Sequence, residues 1–288
     1  MFTRIDHIMV AIADLTKGIE AYQRLGFAMR AGGIHPGVGT HNAIAFNEQD
    51  YLELLGLRDR AEYDAAADRG ERVAGLGEFI DAGGGIRLIA VQSDGLEADV
   101  LVMRSRGVDV GPIANGSRQT QDGRTLRWLV AYTPDVPLFF IQHLTPLEER
   151  RGNWPAHANG VERLERTYIV VEDATGEAER YGLVLGLPVP PLQRGTVIQA
   201  NMAVFQLGDS GLGIAQPVAE GPAADALSRR GPGPFQALYR TASLTIAVQH
   251  LEANGLTVIR GMRNTGEQAA LVPPSDACGA YIGFVGPA

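Results

Sequence analysis

The sequence predicts an α+β protein made of a repeated βαβββ module, four copies in a row, with mostly antiparallel curved sheets. Three observations predict it. A strand, acidic residue, helix and glycine recur in that order. Short β-branched strands separated by turn residues follow each copy. Several strands per helix also argue against the strict alternation of a doubly wound parallel sheet.

The recurring unit reads IDHIMVAIADLTKGIEAYQRLGF from Ile5, GIRLIAVQSDGLEADVLVMRSRGV from Gly85 and LERTYIVVEDATGEAERYGLVLGL from Leu164. Asp14, Asp94 and Asp173 suit a helix N-terminus, where a carboxylate caps free amides and opposes the dipole. Gly26, Gly107 and Gly186, spaced 81 and 79 residues apart, suit the left-handed position that closes a helix. A fourth, weaker copy runs from about Tyr239 through AVQHLEANGL to Gly255.

The later strands of each module follow from alternation and turn signals. They are FAMRAGG, HNAIAFN and YLELLGL in the first module, then GVDVGP, RTLRWLVAYT and PLFFIQHL in the second. The third offers VIQANMAVFQL and GLGIAQPV, and the fourth ends in AYIGFVG. Residues 58–84 are an insertion with a helix expected over Glu71–Ala82. The glycines Gly83–Gly85 after it read as a flexible connection, since no strand precedes them as a phosphate loop requires.

With 288 residues, 45% hydrophobic and 20% charged, the chain is long enough for two globular domains. We expect an N-terminal domain over 1–145 (modules 5–57 and 85–145), a polar linker over 146–162, and a C-terminal domain over 163–288. A net charge of −8 argues against nucleic-acid binding. No apolar run is long enough for a membrane helix and no export signal is evident, so a cytoplasmic protein is expected. Cys278 is the only cysteine, which excludes intrachain disulfides. Lys17, the only lysine, begins a predicted helix and is a poor Schiff-base candidate.

Three segments, DHIMVAIADL (Asp6–Leu15), GGIHPGVGTHN (Gly32–Asn42) and YLELLGL (Tyr51–Leu57), together resemble the vicinal-oxygen-chelate superfamily. Within it they are similar to glyoxalase-like proteins that carry an HPGxGTxN loop. The resemblance covers residues 5–57 well, 85–145 moderately and the remainder weakly. It implies that adjacent modules curl into half-open barrels, two in this chain. It also implies a divalent metal in the cavity, held by first- and last-strand residues, of which His7 and Glu53 match. Imidazole and carboxylate donors suit Zn, Mn, Fe, Co or Ni and leave room for substrate oxygens.

The second module departs from that pattern. By repeat register Arg87 takes the place of His7, and guanidinium cannot ligate a metal. Ile141, Gln142 and His143 are alternative matches for Glu53. His143 is the better third metal ligand, Gln142 a substrate contact, and Arg87 would steer an anionic substrate. In module three Arg166 stands at the His7 position and no carboxylate follows, so the C-terminal site reads as degenerate. In the glycine-bearing loop, His35 is an acid/base candidate beside Glu53, with Thr40 and Asn42 as substrate contacts and His41 facing outward.

Other features read as structural. GDSGLG (Gly208–Gly213) carries Leu212 where a nucleophile elbow needs glycine. GPGP (Gly231–Pro234) is a rigid loop, Glu148–Arg151 a solvated face, and His157 and His250 are structural. The function expected is a metal-dependent lyase or isomerase acting on a small oxygen-chelating substrate. The alternatives are an extradiol-type dioxygenase and a non-catalytic small-molecule binding protein. A homodimer is allowed, with the C-terminal modules covering the first sheet or forming the subunit contact.

Overall fold

A computed structural model describes residues 1–69, 75–120 and 123–288. The first module comprises β1 (Phe2–Ile12), α1 (Leu15–Arg24), β2 (Arg30–His35), β3 (Thr40–Phe46) and β4 (Tyr51–Leu57). The insertion follows as α2 (Arg60–Asp68) and α3 (Leu76–Asp81). The second comprises β5 (Gly85–Ser93), α4 (Leu96–Ser105), β6 (Ala114–Gln119), β7 (Thr125–Tyr132) and β8 (Leu138–His143). After the short α5 (Leu147–Arg151), the third contains β9 (Val161–Val170), α6 (Ala174–Leu185), β10 (Gln193–Gly195), β11 (Ala200–Leu207) and β12 (Ser210–Pro217). The last contains, after α7 (Pro222–Arg230), β13 (Gly233–Thr241), α8 (Leu244–Ala253), β14 (Ile259–Met262), β15 (Gln268–Val272) and β16 (Tyr281–Val285).

The modules pair into two eight-stranded sheets with one topology, β2-β3-β4-β1-β5-β8-β7-β6 and β10-β11-β12-β9-β13-β16-β15-β14. Within a module the first and last strands are parallel. The first strands of adjacent modules meet antiparallel at the centre. The N-terminal sheet curls until its edges approach, with Arg118 Cδ of β6 only 3.7 Å from where a side chain at Gly33 of β2 would begin.

Caps and C-terminal glycines follow the sequence reading with one exception. Asp14 accepts from the Lys17 amide, and Asp173 from those of Thr175 and Gly176. Gly26, Gly107 and Gly186 have φ of +96°, +84° and +68°. At α4, however, Gly95 is the cap residue and Asp94 makes no capping bond. Ser93 Oγ accepts from Gly95 instead and donates to Asp99. GVDVGP is not a strand either; the edge strand lies later, at β6, and Val108 and Val110 are buried in the core instead.

The insertion also differs from expectation. Glu71–Ala74 lie outside the described residues, and the helix that follows is the short α3. The triple glycine is a packed junction and not a flexible connection. All three residues have positive φ, and a side chain at Gly84 would run into the Ala11 carbonyl.

A single buried cluster spans both sheets. It includes Ile8, Val10 and Ile12 of β1, Tyr22 and Phe27, and Tyr239 and Phe284 of the C-terminal half. Phe27 meets the Tyr239 ring edge-on at 5.1 Å, a contact worth about 1 kcal/mol beyond its buried area. The stretch read as a polar linker is bonded into both halves. Asn159 donates to the Leu25 carbonyl (2.9 Å) and its own carbonyl accepts from Thr241 (2.7 Å). His157 is buried there, accepting from the Ala28 amide and facing Asn47 Oδ1 at 2.8 Å. Among the described residues, no helix is long and apolar enough to cross a membrane.

Candidate functional site

Strand alternation sends Ile8, Val10 and Ile12 into the shared core, so His7, Met9 and Ala11 face the other side of the sheet. Parallel pairing sets His7 beside Tyr51 and Met9 beside Glu53. The His7 and Tyr51 rings stack at 4.1 Å, and the Phe139 ring lies edge-on to His7 at 5.4 Å.

A β-bulge brings one further residue into this group. In the central ladder Ile5 pairs with Val91 and His7 with Ala90, leaving Asp6 opposite no residue. Bulges re-aim side chains in this way. Asp6 is fully buried, with Oδ1 2.7 Å from His7 Nδ1 and Oδ2 2.9 Å from His143 Nε2. Burial alone would raise its carboxyl. The hydrogen-bonded His143 and His7 outweigh that and hold it well below the usual carboxylate range. An ionised Asp6 accepts a hydrogen bond from His7 Nδ1–H, which leaves Nε2 facing Glu53 Oε2 (3.5 Å) and the Tyr51 hydroxyl (3.4 Å). Burial, with Asp6 and Glu53 nearby, pushes the Tyr51 phenol well up, so it remains a donor.

Glu53 is fixed from its other side. Asn42 Nδ2 donates to Oε1 at 2.6 Å, while Asn42 Oδ1 accepts from the Gly33 amide at 2.7 Å. Gly32 has no side chain because Asn42 fills that space. His35 Nδ1 lies 2.8 Å from Thr40 Oγ1 across the β2–β3 turn. Burial lowers the His35 pKa and Arg118 adds to that, while Glu53 opposes it. His41 lies on the opposite face, over Gly56 and α1. His35, Thr40 and Glu53 line a cleft of about 1670 Å³ that continues between the two halves of the chain. Arg87 lines it too, its guanidinium 5.2 Å from the Phe79 ring. His7 sits behind Glu53, and its side chain is 3% exposed.

The second module lies in a different register from the one its sequence suggests. Ile8 pairs with Ile89 across the sheet centre, and their parallel partners are Leu52 and Leu138. This places Leu88 at the position of His7 and Phe139 at that of Glu53. Arg87 is the residue displaced by a second bulge, opposite Met9 and Val10. Gln142 leaves the site altogether: its side chain accepts from the Leu96 amide at the start of α4. His143 comes near the site, but as a partner of Asp6. Sequence reasoning missed Asp6 and Tyr51. Tyr51, two residues before Glu53 on the same strand face, was legible by alternation, whereas Asp6 required the bulge.

These positions decide how a divalent ion could be held. His7 Nε2 and Glu53 face each other and supply two donors. His143, expected as the third ligand, turns Nε2 to Asp6 at 2.9 Å, while its Nδ1 is buried without a hydrogen-bond partner. Among the described residues no three His, Cys, Asp or Glu side chains form a group arranged to hold a metal ion.

Paired βαβββ modules curled around a cavity define a vicinal-oxygen-chelate protein. The sequence matches the glyoxalase-like domain family over residues 5–185, and the chain belongs to that family. Its fold is similar over 99% of its length to that of a hypothetical protein from Staphylococcus aureus, covering 100% of that chain (TM-score 0.71, 15% identity). It is also similar to a mutant of 4-hydroxymandelate synthase from Streptomyces coelicolor (TM-score 0.67, 11% identity, covering 99% of this chain and 93% of that one). No curated protein matches the sequence.

Proposed function

We propose that the N-terminal half is the active half of a lyase or isomerase that moves a proton on a small substrate with neighbouring oxygens. The observation that carries this reading is Glu53, a carboxylate held by Asn42 at the cleft wall with His7 directly behind it. In the proposed step, Glu53 takes a proton from the carbon beside a substrate carbonyl. The C–H electron pair becomes the C=C bond of an enediolate as the carbonyl π pair passes to oxygen. The same carboxyl then either returns the proton to the former carbonyl carbon while the neighbouring hydroxyl proton passes to the other oxygen, or protonates a leaving group as its bond to carbon breaks and the enolate re-forms a carbonyl. His35 and Thr40, on the same wall, hydrogen-bond the substrate oxygens, and Arg87 draws an anionic substrate into the cleft. His7 and Glu53 would supply two ligands to a divalent ion, which would polarise the substrate oxygens when bound.

The test is deuterium exchange in D₂O, followed by NMR, across hydroxyketones, 2-oxoacids and thiohemiacetals, with metal content measured on the same preparations. Exchange that is abolished in Glu53→Gln and retained in Gln142→Ala supports the reading. Tight binding of a panel member with no exchange would overturn it in favour of a binding protein.

A further inference from the structure

The C-terminal sheet repeats the topology of the N-terminal one but changes the residues at its centre. By the same pairing, Arg166 stands where His7 does, Tyr168 where Met9 does, Gly211 at the place of Tyr51 and Gly213 at that of Glu53. The two glycines are there for space. A side chain at Gly213 would begin 2.6 Å from the Tyr168 ring, and one at Gly211 would begin 3.3 Å from Arg166 Nε. Gln236 of β13 occupies the corresponding central position in the fourth module.

These residues enclose a second cavity, of about 60 Å³, walled on its apolar side by Tyr168, Met202 and Leu238. Arg166, Arg194 and Arg263 line it, and among the described residues no carboxylate does. The charge of Arg263 is already matched, since Arg263 and Arg240 pair with Glu165 and Glu267. Among the described residues Arg166 forms no ion pair; its guanidinium lies 6.0 Å from the Tyr168 ring centre, and its Nε is buried without a hydrogen-bond partner. Gln236 is 2% exposed, and its Oε1 is also without a partner. A buried amide oxygen lacking a donor and a buried guanidinium N–H lacking an acceptor are both unusual, and each asks for a complementary group.

We propose that this cavity is a second binding site, independent of the Glu53 site, for a small hydroxy or amino acid. The carboxylate pairs with Arg166, and the hydroxyl or ammonium donates to Gln236 Oε1. Size restricts the ligand. Since one water-sized group needs roughly 10–15 Å³ of such volume, the cavity admits about four to six heavy atoms, the size of glycolate or glycine.

The methionines test this directly, because Met202 lines this cavity and Met9 lines the cleft at Glu53. Glycolate is titrated into wild-type protein carrying ¹³C-methyl methionine, with acetate and ethylene glycol as single-group controls. The expected result is a saturable shift of the Met202 methyl, reached at roughly tenfold lower concentration for glycolate than for either control. That shift should be lost in Arg166→Met, and in Gln236→Met glycolate should bind no better than acetate. A wild-type Met202 methyl that does not move overturns the proposal, whether or not Met9 moves. So does acetate binding as tightly as glycolate. Because the wild-type titration decides by itself, a variant that fails to fold leaves the test intact.

Discussion

Asp6 and His7 are consecutive residues of one strand, yet their side chains are hydrogen-bonded to each other, Oδ1 to Nδ1 at 2.7 Å. In a regular strand neighbouring side chains point to opposite faces. The bulge opposite Ala90 removes that restriction and places a buried carboxylate between His7 and His143.

Removing that charge should be costly. Asp6→Asn leaves two buried imidazoles facing an amide, and we expect a loss of about 3 kcal/mol, since two charge-assisted hydrogen bonds of roughly 1.5 kcal/mol each are weakened. Urea unfolding measures it. Nitrogen-15 NMR of the His7 ring should show the proton on Nδ1 in the wild type, with that preference weakened in Asp6→Asn. Unchanged stability and tautomer would mean that Asp6 does not orient the ring.

Glu53 and Asn42 can be separated by their effects on exchange activity. Glu53→Gln removes the proton acceptor and should lower the rate by roughly 10²–10⁴-fold. Asn42→Ala leaves the carboxylate but removes its 2.6 Å hydrogen bond, and a charge-assisted bond of about 1.5–3 kcal/mol corresponds to roughly a 10- to 100-fold loss. Equal losses in both variants would show that Asn42 does more than position Glu53.

Two buried groups where the halves meet should give opposite pH responses. Burial pushes the Asp50 carboxyl up to about 7, against the hydrogen bonds from Asn47 and the Leu164 amide. The folded state therefore holds a proton that the unfolded state releases near 3.8, and this contribution to stability is lost as pH rises from about 4 to 7. Burial lowers His157 to about 4. There the unfolded state takes up the proton first, and stability is lost as pH falls from about 6.5 to 4. Denaturant midpoints across pH 4–8 should lose the first slope in Asp50→Asn and the second in His157→Gln, relative to wild type.

The glycine junction offers a packing test. Gly83→Ala meets open space and should incur only backbone strain, of about 1–3 kcal/mol. Gly84→Ala adds a collision with the Ala11 carbonyl, and should unfold at clearly lower denaturant concentration. Equal midpoints would show that the junction can yield.

The repeated module was legible because helix ends leave local marks. Asp14 and Asp173 cap their helices, and three glycines close theirs, through interactions within a few residues. His7 and Glu53 could be paired from sequence because both lie in one module, on strands whose alternation is undisturbed between them. Arg87 and Gln142 could not be placed correctly, because one bulged residue shifts everything on one side of it. Nothing in the local sequence pattern marks where such a residue falls.

By itself the sequence determined the βαβββ order, the fourfold repeat, and the strands that bring His7, Asn42 and Glu53 together. Those depend on local propensity and on period-two alternation, which each segment carries independently. Only the tertiary structure decided that Asp6 lies between His7 and His143 and that the two halves share one core. It likewise decided that Arg166 and Gln236 face a common cavity. Each of these depends on a bulge, or on contacts between residues more than fifty positions apart, and both are settled by how whole strands pack against one another.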